Sequence, residues 1–216
     1  MPGPFARLAL SVLRLIAPST CSACGGPERE SVFCSTCGHP LPAPAEDLDG
    51  VPVVAAGAYA PPLSSAIRRF KFEGHPELAR PLSSLLLPAV QKLGLRASDL
   101  WVPVPLHRAR LIERGFNQAA LLARSLSSRT GSTFAPRLLE RRRETVQQAR
   151  LGRVARGENA LGAFALRRCS TGGRVVLVDD VVTTGATARA CLLALKEGGI
   201  EVLAVVALAQ APGRSC

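Results

Sequence analysis

Two groups of residues have types and spacings that could do chemistry. The first is the run Asp179-Asp180-Val181-Val182-Thr183-Thr184-Gly185-Ala186-Thr187, which follows the aliphatic stretch Val175-Val176-Leu177-Val178. The order predicted is a buried strand, a loop and a helix over 187–198. In an open parallel sheet ligands sit at the carboxyl ends of strands, and the next helix start offers free amides and a positive dipole end to an anion. Thr183, Thr184 and Thr187 would add hydroxyl donors, and Gly185 would let the backbone approach a phosphate closely. Phosphate does not explain the acids. Two adjacent carboxylates at a strand end suit the paired hydroxyls of a ribose, or the placing of a magnesium ion. A ribose 5-phosphate combines both features. The plain alternative is an ordinary turn capped by Asp179 and Asp180, and the full nine-residue pattern speaks against it.

The second group is Cys21-Ser22-Ala23-Cys24 and Cys34-Ser35-Thr36-Cys37, two Cys-x-x-Cys pairs with Gly25 and Gly38 directly after them. Each pair brings two thiolates to one ion, and four thiolates complete a tetrahedral zinc site with no open position, so the metal expected at Cys21, Cys24, Cys34 and Cys37 is structural. Disulfides are the alternative, disfavoured in a reducing compartment. His39 beside Cys37 is read as a surface residue, and Cys169, Cys191 and Cys216 lack partners at ligand spacing.

The elements that must position these groups follow from pattern. Phe5, Leu8, Val12 and Leu15 have helical spacing, which predicts a short docking helix within residues 1–20. Residues 21–45 form the cysteine module, and 42–50 read as a linker. Strands are expected over 51–59, 101–105, 175–178 and 202–208, alternating with helices over 62–72, 77–93, 117–129 and 187–198. That alternation argues for an α/β fold, a mostly parallel twisted sheet covered by helices on both faces. Residues 140–159 are rich in Arg, Gln and Gly and are expected to be a loop that covers the site.

Composition narrows the class further. Apolar residues make up 47% of the 216 while aromatics are only 4%, so the core must be aliphatic. Lysine and arginine number 27 against 16 acids, a balance of +11 that is nearly all arginine. Arginine forks suit phosphate, pyrophosphate and nucleic-acid backbone alike. No run approaches the ~20 apolar residues of a membrane span, and the N-terminal stretch is a poor signal peptide, so a cytoplasmic protein is expected. Neither a P-loop nor a Gly-x-Gly-x-x-Gly fingerprint is present.

Residues 175–187 resemble the 5-phosphoribosyl 1-pyrophosphate signature of type I phosphoribosyltransferases. Val102-Pro103-Val104-Pro105-Leu106 with Arg110, then Arg114-Gly115-Phe116-Asn117-Gln118, then Thr145, Gln148, Leu151, Arg156, Asn159 and Phe164, resemble the ComF family of competence-associated, phosphoribosyltransferase-like proteins. The resemblance covers nearly the whole chain. It implies a type I phosphoribosyltransferase-like domain over 51–216, with Asp179 and Asp180 on the ribose hydroxyls and Thr183 to Thr187 on the 5-phosphate. It places Leu106, His107, Arg108 and Arg110 in a pyrophosphate loop and Gln148 and Arg156 in a flexible closing loop, and it adds Lys71 and Arg114 to the site. Magnesium would accompany the phosphoribosyl pyrophosphate. Surface solvation is the alternative for Arg108, Arg110 and Arg114.

Two classes of function are compatible with this reading. One is phosphoribosyl transfer to an acceptor that the sequence does not identify. The other is a non-catalytic nucleotide- or single-stranded-DNA-binding adaptor among the competence-machinery proteins, with the zinc module as a contact surface. Aromatic residues that would stack on bases are scarce.

Overall fold

The computed structural model describes residues 20–28, 30–142, 162–167 and 173–211. The docking helix expected over 5–17, together with Gln148 and Arg156 and most of the 140–159 segment, lies outside the described residues.

After the cysteine module come β1 (Glu46–Leu48) and β2 (Val51–Ala58), then α1 (Leu63–Phe72). A short 3-10 turn at Pro76–Leu78 leads to α2 (Ala79–Ser84) and α3 (Leu87–Val90). Next are β3 (Leu100–Pro103), α4 (Arg108–Arg114), α5 (Gln118–Thr130), β4 (Thr133–Phe134), β5 (Leu139–Arg141) and β6 (Phe164–Leu166). The chain closes with β7 (Arg174–Val182), α6 (Ala186–Glu197) and β8 (Glu201–Gln210).

Six strands form one sheet in the order β1-β2-β8-β7-β3-β4, parallel throughout except for β1, and β5 pairs with β6 as a separate antiparallel ribbon. Val176 and Val178 of β7 pack with Leu63, Ile67, Phe70, Leu82, Leu122 and Leu126 of α1, α2 and α5 on one face. Val175 and Leu177 pack on the other, with Cys191 and Leu195 of α6 and with Phe164 of β6. This alternation along a strand buried on both sides is what a two-faced sheet requires.

Three expectations are corrected. The single helix over 77–93 is broken into short pieces. Pro88 stands in the first turn of α3 and cannot donate to the Ser84 carbonyl, so one continuous helix is blocked there. The linker over 42–50 contains a hairpin: Leu48 pairs with Val51, and Asp49 (φ 57°) and Gly50 (φ 86°) make the tight turn that Asp-Gly favours. Leu48 is fully buried. Finally, β7 does not stop at Val178. Its pairing with β8 continues through Asp179↔Ala207 and Val181↔Ala209 to Val182↔Gln210, so both aspartates are strand residues.

Candidate functional site

The carboxyl end of β7 opens into a cavity of about 390 Å³ whose wall includes Asp179, Asp180, Val181, Thr183 and Thr187. Both aspartates line this cavity, and as neighbours along a strand their side chains leave that strand on opposite sides. Asp180 reaches toward α1, where Lys71 Nζ lies 2.7 Å from its Oδ1. Asp179 leans toward the α6 face, close enough to Cys191 for its charge to help push that buried thiol upward. Burial, then repulsion from Asp180, raise the Asp179 carboxyl to about 7, against the opposing pull of Lys71.

The facing wall is basic and comes from three elements. Lys71 projects from α1, Arg110 and Arg114 from α4, and Arg141 from β5, and all four line the cavity. Helix α4 lies where the sequence reading placed a pyrophosphate loop. His107 is its N-cap, its ring accepting from the Ala109 amide at 3.3 Å, and the ring also lines the cavity with Leu106. Arg108 is exposed and outside the wall, while Arg110 shares its charge with Glu113 at 2.9 Å.

Beneath this wall Asn117 caps α5, accepting from Ala120 N at 3.3 Å and donating to the Val104 carbonyl at 3.0 Å, which fixes α5 against the end of β3. Gln118 is 1% exposed and takes a hydrogen bond from Arg114 Nη1 at 3.3 Å. Arg114 Nε and Gln118 Nε2 are buried donors with no acceptor among the described residues. Such donors are costly unless a ligand or water satisfies them.

The turn after β7 is compact. Gly185 has φ 72°, and Arg189 Nη1 donates to the Thr184 carbonyl at 2.8 Å. Thr184, Gly185 and Ala186 are not among the residues that line the cavity. Val182, expected in the loop, ends the strand with its side chain 2% exposed in the α6-side core. Tyr59, Asn117 and Gln118 join the site although sequence reading gave them no role there, and Arg141, expected in the covering loop over 140–159, lines it from β5. The rule that ligands gather at strand carboxyl ends points to Tyr59, one residue past β2.

In the cysteine module the four sulfurs of Cys21, Cys24, Cys34 and Cys37 all lie within 4.8 Å of one another. Cys24 Sγ and Cys34 Sγ are 3.8 Å apart. A tetrahedron with Zn–S bonds of about 2.3 Å has an edge of about 3.8 Å, so this pair already has the spacing of a filled site. Backbone amides of Gly26 and Cys34 point at Cys24 Sγ and Cys21 Sγ at 3.4 and 3.3 Å, as thiolate ligands require. The cluster could bind a structural zinc.

No family model matches the chain. Curated relatives do. The DNA utilization protein YhgH of Escherichia coli strain K12 is 38% identical over 189 residues, covering 84% of this chain and 80% of the relative. Competence protein F of Haemophilus influenzae is 32% identical over 214 residues, covering 92% and 93%. Competence protein ComFC of Bacillus subtilis is 27% identical over 186 residues, covering 85% and 75%. Among solved structures, adenine phosphoribosyltransferase from Leishmania tarentolae is 16% identical with a TM-score of 0.40, covering 70% of this chain and 76% of that one. Leishmania donovani UMP synthase is 19% identical with a TM-score of 0.40, covering 67% and 24%. These structural likenesses are too weak to bear on function. With the parallel sheet, its two helical layers and the cysteine cluster in place, the curated relatives decide the matter: the chain belongs to the ComF family.

Proposed function

We propose that the cavity at the end of β7 binds 5-phosphoribosyl 1-pyrophosphate or a related phosphoribosyl compound. The observation that carries this reading is the pairing of Asp179 and Asp180 at one strand end with a basic wall of Lys71, Arg110 and Arg114 across the same cleft. Asp179 and Asp180 accept hydrogen bonds from the ribose hydroxyls. Thr183, Thr187 and the amides at the start of α6 hold the 5-phosphate. Arg110 and Arg114 take the pyrophosphate oxygens, with the unsatisfied Arg114 Nε and Gln118 Nε2 as ready donors. Asp179 and Asp180 would be the hard oxygen donors to hold a magnesium ion, which would neutralise pyrophosphate charge there. Neutralising a leaving pyrophosphate and excluding water are what transfer of the phosphoribosyl group to an acceptor would need. The cysteine cluster holds zinc as a structural ion.

The relatives' names, DNA utilization and competence proteins, support a role in DNA uptake, which we assign to the cytoplasm. No helix among the described residues is long and apolar enough to cross a membrane. The same names favour the second reading, a non-catalytic adaptor that contacts single-stranded DNA or competence-machinery proteins. Calorimetry with phosphoribosyl pyrophosphate and magnesium tests the first reading. Wild type should bind and the Asp179→Asn/Asp180→Asn double variant should not; equal binding by both would exclude the site. Pyrophosphate release with candidate bases then separates enzyme from adaptor, the adaptor showing no turnover and salt-sensitive single-strand binding.

A further inference from the structure

The cysteine module and the cavity are attached to opposite sides of one helix. In α1, Arg69 Nη1 donates to the Cys21 carbonyl at 3.0 Å and the Ser22 carbonyl at 3.1 Å. Two residues later Lys71 pairs with Asp180 at 2.7 Å. Residues two apart on an α-helix point about 200° from each other, so one face of α1 is tied to the metal-ligand loop and the other to the cavity. Phe70 between them is fully buried and packs on Phe116, ring centroids 5.8 Å apart, directly before the Asn117–Gln118 wall. Arg69 is closely fitted: a Cβ added to Gly25, in the turn after Cys24, would sit 3.2 Å from Arg69 Nη2.

We infer that Arg69 is a positioning residue that couples the cysteine module to the ligand cavity, by anchoring α1 so that Lys71 is presented to Asp180. The Cys21 and Ser22 carbonyls that receive Arg69 belong to the first Cys-x-x-Cys turn, whose shape is set when its thiolates share an ion. The Cys21 carbonyl also closes that turn, accepting from Gly25 N at 2.9 Å. Folding the turn therefore aims two carbonyls at one guanidinium, and the rigid helix carries the constraint to the opposite face. A module that leaves no coordination position open for chemistry thus still acts on the ligand site. For its effect on binding, the inference rests on the phosphoribosyl reading above.

The test uses full-length, zinc-loaded protein and two readouts. The first is the Lys71 side-chain ammonium resonance by ¹⁵N NMR, which a fixed ion pair keeps visible; the second is phosphoribosyl pyrophosphate affinity by calorimetry. Arg69→Ala should lose the Lys71 signal and weaken binding about tenfold, a usual size for coupling between sites. Arg69→Lys, which can still donate to the two carbonyls, should recover part of both. Stripping zinc from wild type by chelation should reproduce the Arg69→Ala effect, and chelating the Arg69→Ala protein should add little. Retention of the Lys71 signal with affinity within about twofold of wild type in Arg69→Ala would overturn the inference, as would chelation and substitution effects that simply multiply. Should Arg69→Ala not fold, Arg69→Lys and chelated wild type decide by the same readouts. A wild type that binds no phosphoribosyl pyrophosphate would sink the functional reading alone, since the Lys71 resonance still reports on the coupling.

Discussion

Lys71 and Asp180 form a mostly buried ion pair, Nζ to Oδ1 2.7 Å, with side chains 17% and 14% exposed. Asp179, one residue away, receives less from that cation than burial and Asp180 take from it, and its carboxyl sits at about 7. Two chemically identical neighbours are thereby made different: one is a paired carboxylate, the other is near its titration point. Asp179 is thus a group able to hold a proton near neutrality beside the ion-paired Asp180.

A stability difference follows for Asp179→Asn. In the unfolded chain the carboxyl titrates near 4, and in the folded protein at about 7, so the folded form binds its proton more tightly. The wild-type contribution of Asp179 is most favourable below pH ~4 and worsens as pH rises toward about 7. At pH 8 Asp179→Asn should therefore be more stable than wild type, by roughly 2 kcal/mol once water in the cleft is allowed for, with the gain gone at pH 4. Urea unfolding at the two pH values, followed through the buried Trp101, measures it. A gain of the same size at pH 4 would show that Asp179 is not the titrating group.

Asp99 and Arg174 stabilise the opposite end of the sheet. Arg174 donates to Asp99 through Nη2 at 2.7 Å and Nε at 3.0 Å, and Asp99 is 2% exposed. The Arg174 guanidinium, outweighing burial, holds the Asp99 carboxyl below its ordinary value. Its stabilisation is thus full above pH ~4 and is lost as pH falls through the lowered folded value. Asp99→Asn should cost about 3 kcal/mol at pH 7, since it leaves Arg174 without its carboxylate, and should flatten the acid side of the stability curve. Denaturant titrations from pH 2 to 7 supply the comparison.

Much of this was legible from residue type and order. The strand over 175–178, the helix over 117–129 and the cysteine spacing all follow from local rules that the structure obeys. The misses are tertiary. Val181 and Val182 read as loop after two acids at a strand end, yet β8 continues alongside and supplies their ladder partners. Helix α4 is short and buries no residue, so it carries no periodic core signal. Gln118 matters because Arg114 folds back onto it from α4, four residues earlier, and no spacing rule marks that contact as part of a cavity. The Asp49-Gly50 hairpin, by contrast, had a signal that the linker reading passed over.

Gly185 sets the turn that follows the aspartates. At φ 72° a side chain is strained, and an added Cβ would lie 2.7 Å from Leu48 Cδ2 and 2.8 Å from Arg189 Nη1. Leu48 is fully buried and cannot yield freely. Gly185→Ala should lose about 2–3 kcal/mol and shift the Thr183–Thr187 turn. Thermal melts and phosphoribosyl pyrophosphate calorimetry should both register the change. An unaltered melt would mean that the turn tolerates a side chain.

Removing the metal should have a graded effect along the chain. The cysteine module has little core of its own, but Cys21, Ala23 and Phe33 are buried in one cluster with Ile67 and Phe70 of α1. Without an ion, four thiols in van der Waals range of each other lose the bond that closes the module, and small metal modules depend on that bond to fold. After chelation, residues 20–44 should lose amide protection in hydrogen-exchange mass spectrometry, and α1 should lose part of its own. Amides of β7 and β8 should keep theirs, because they are paired with each other and also covered by α5 and α6. Uniform loss of protection across the sheet would mean that the ion holds the entire domain together, and unchanged protection in α1 would mean that the shared cluster transmits nothing.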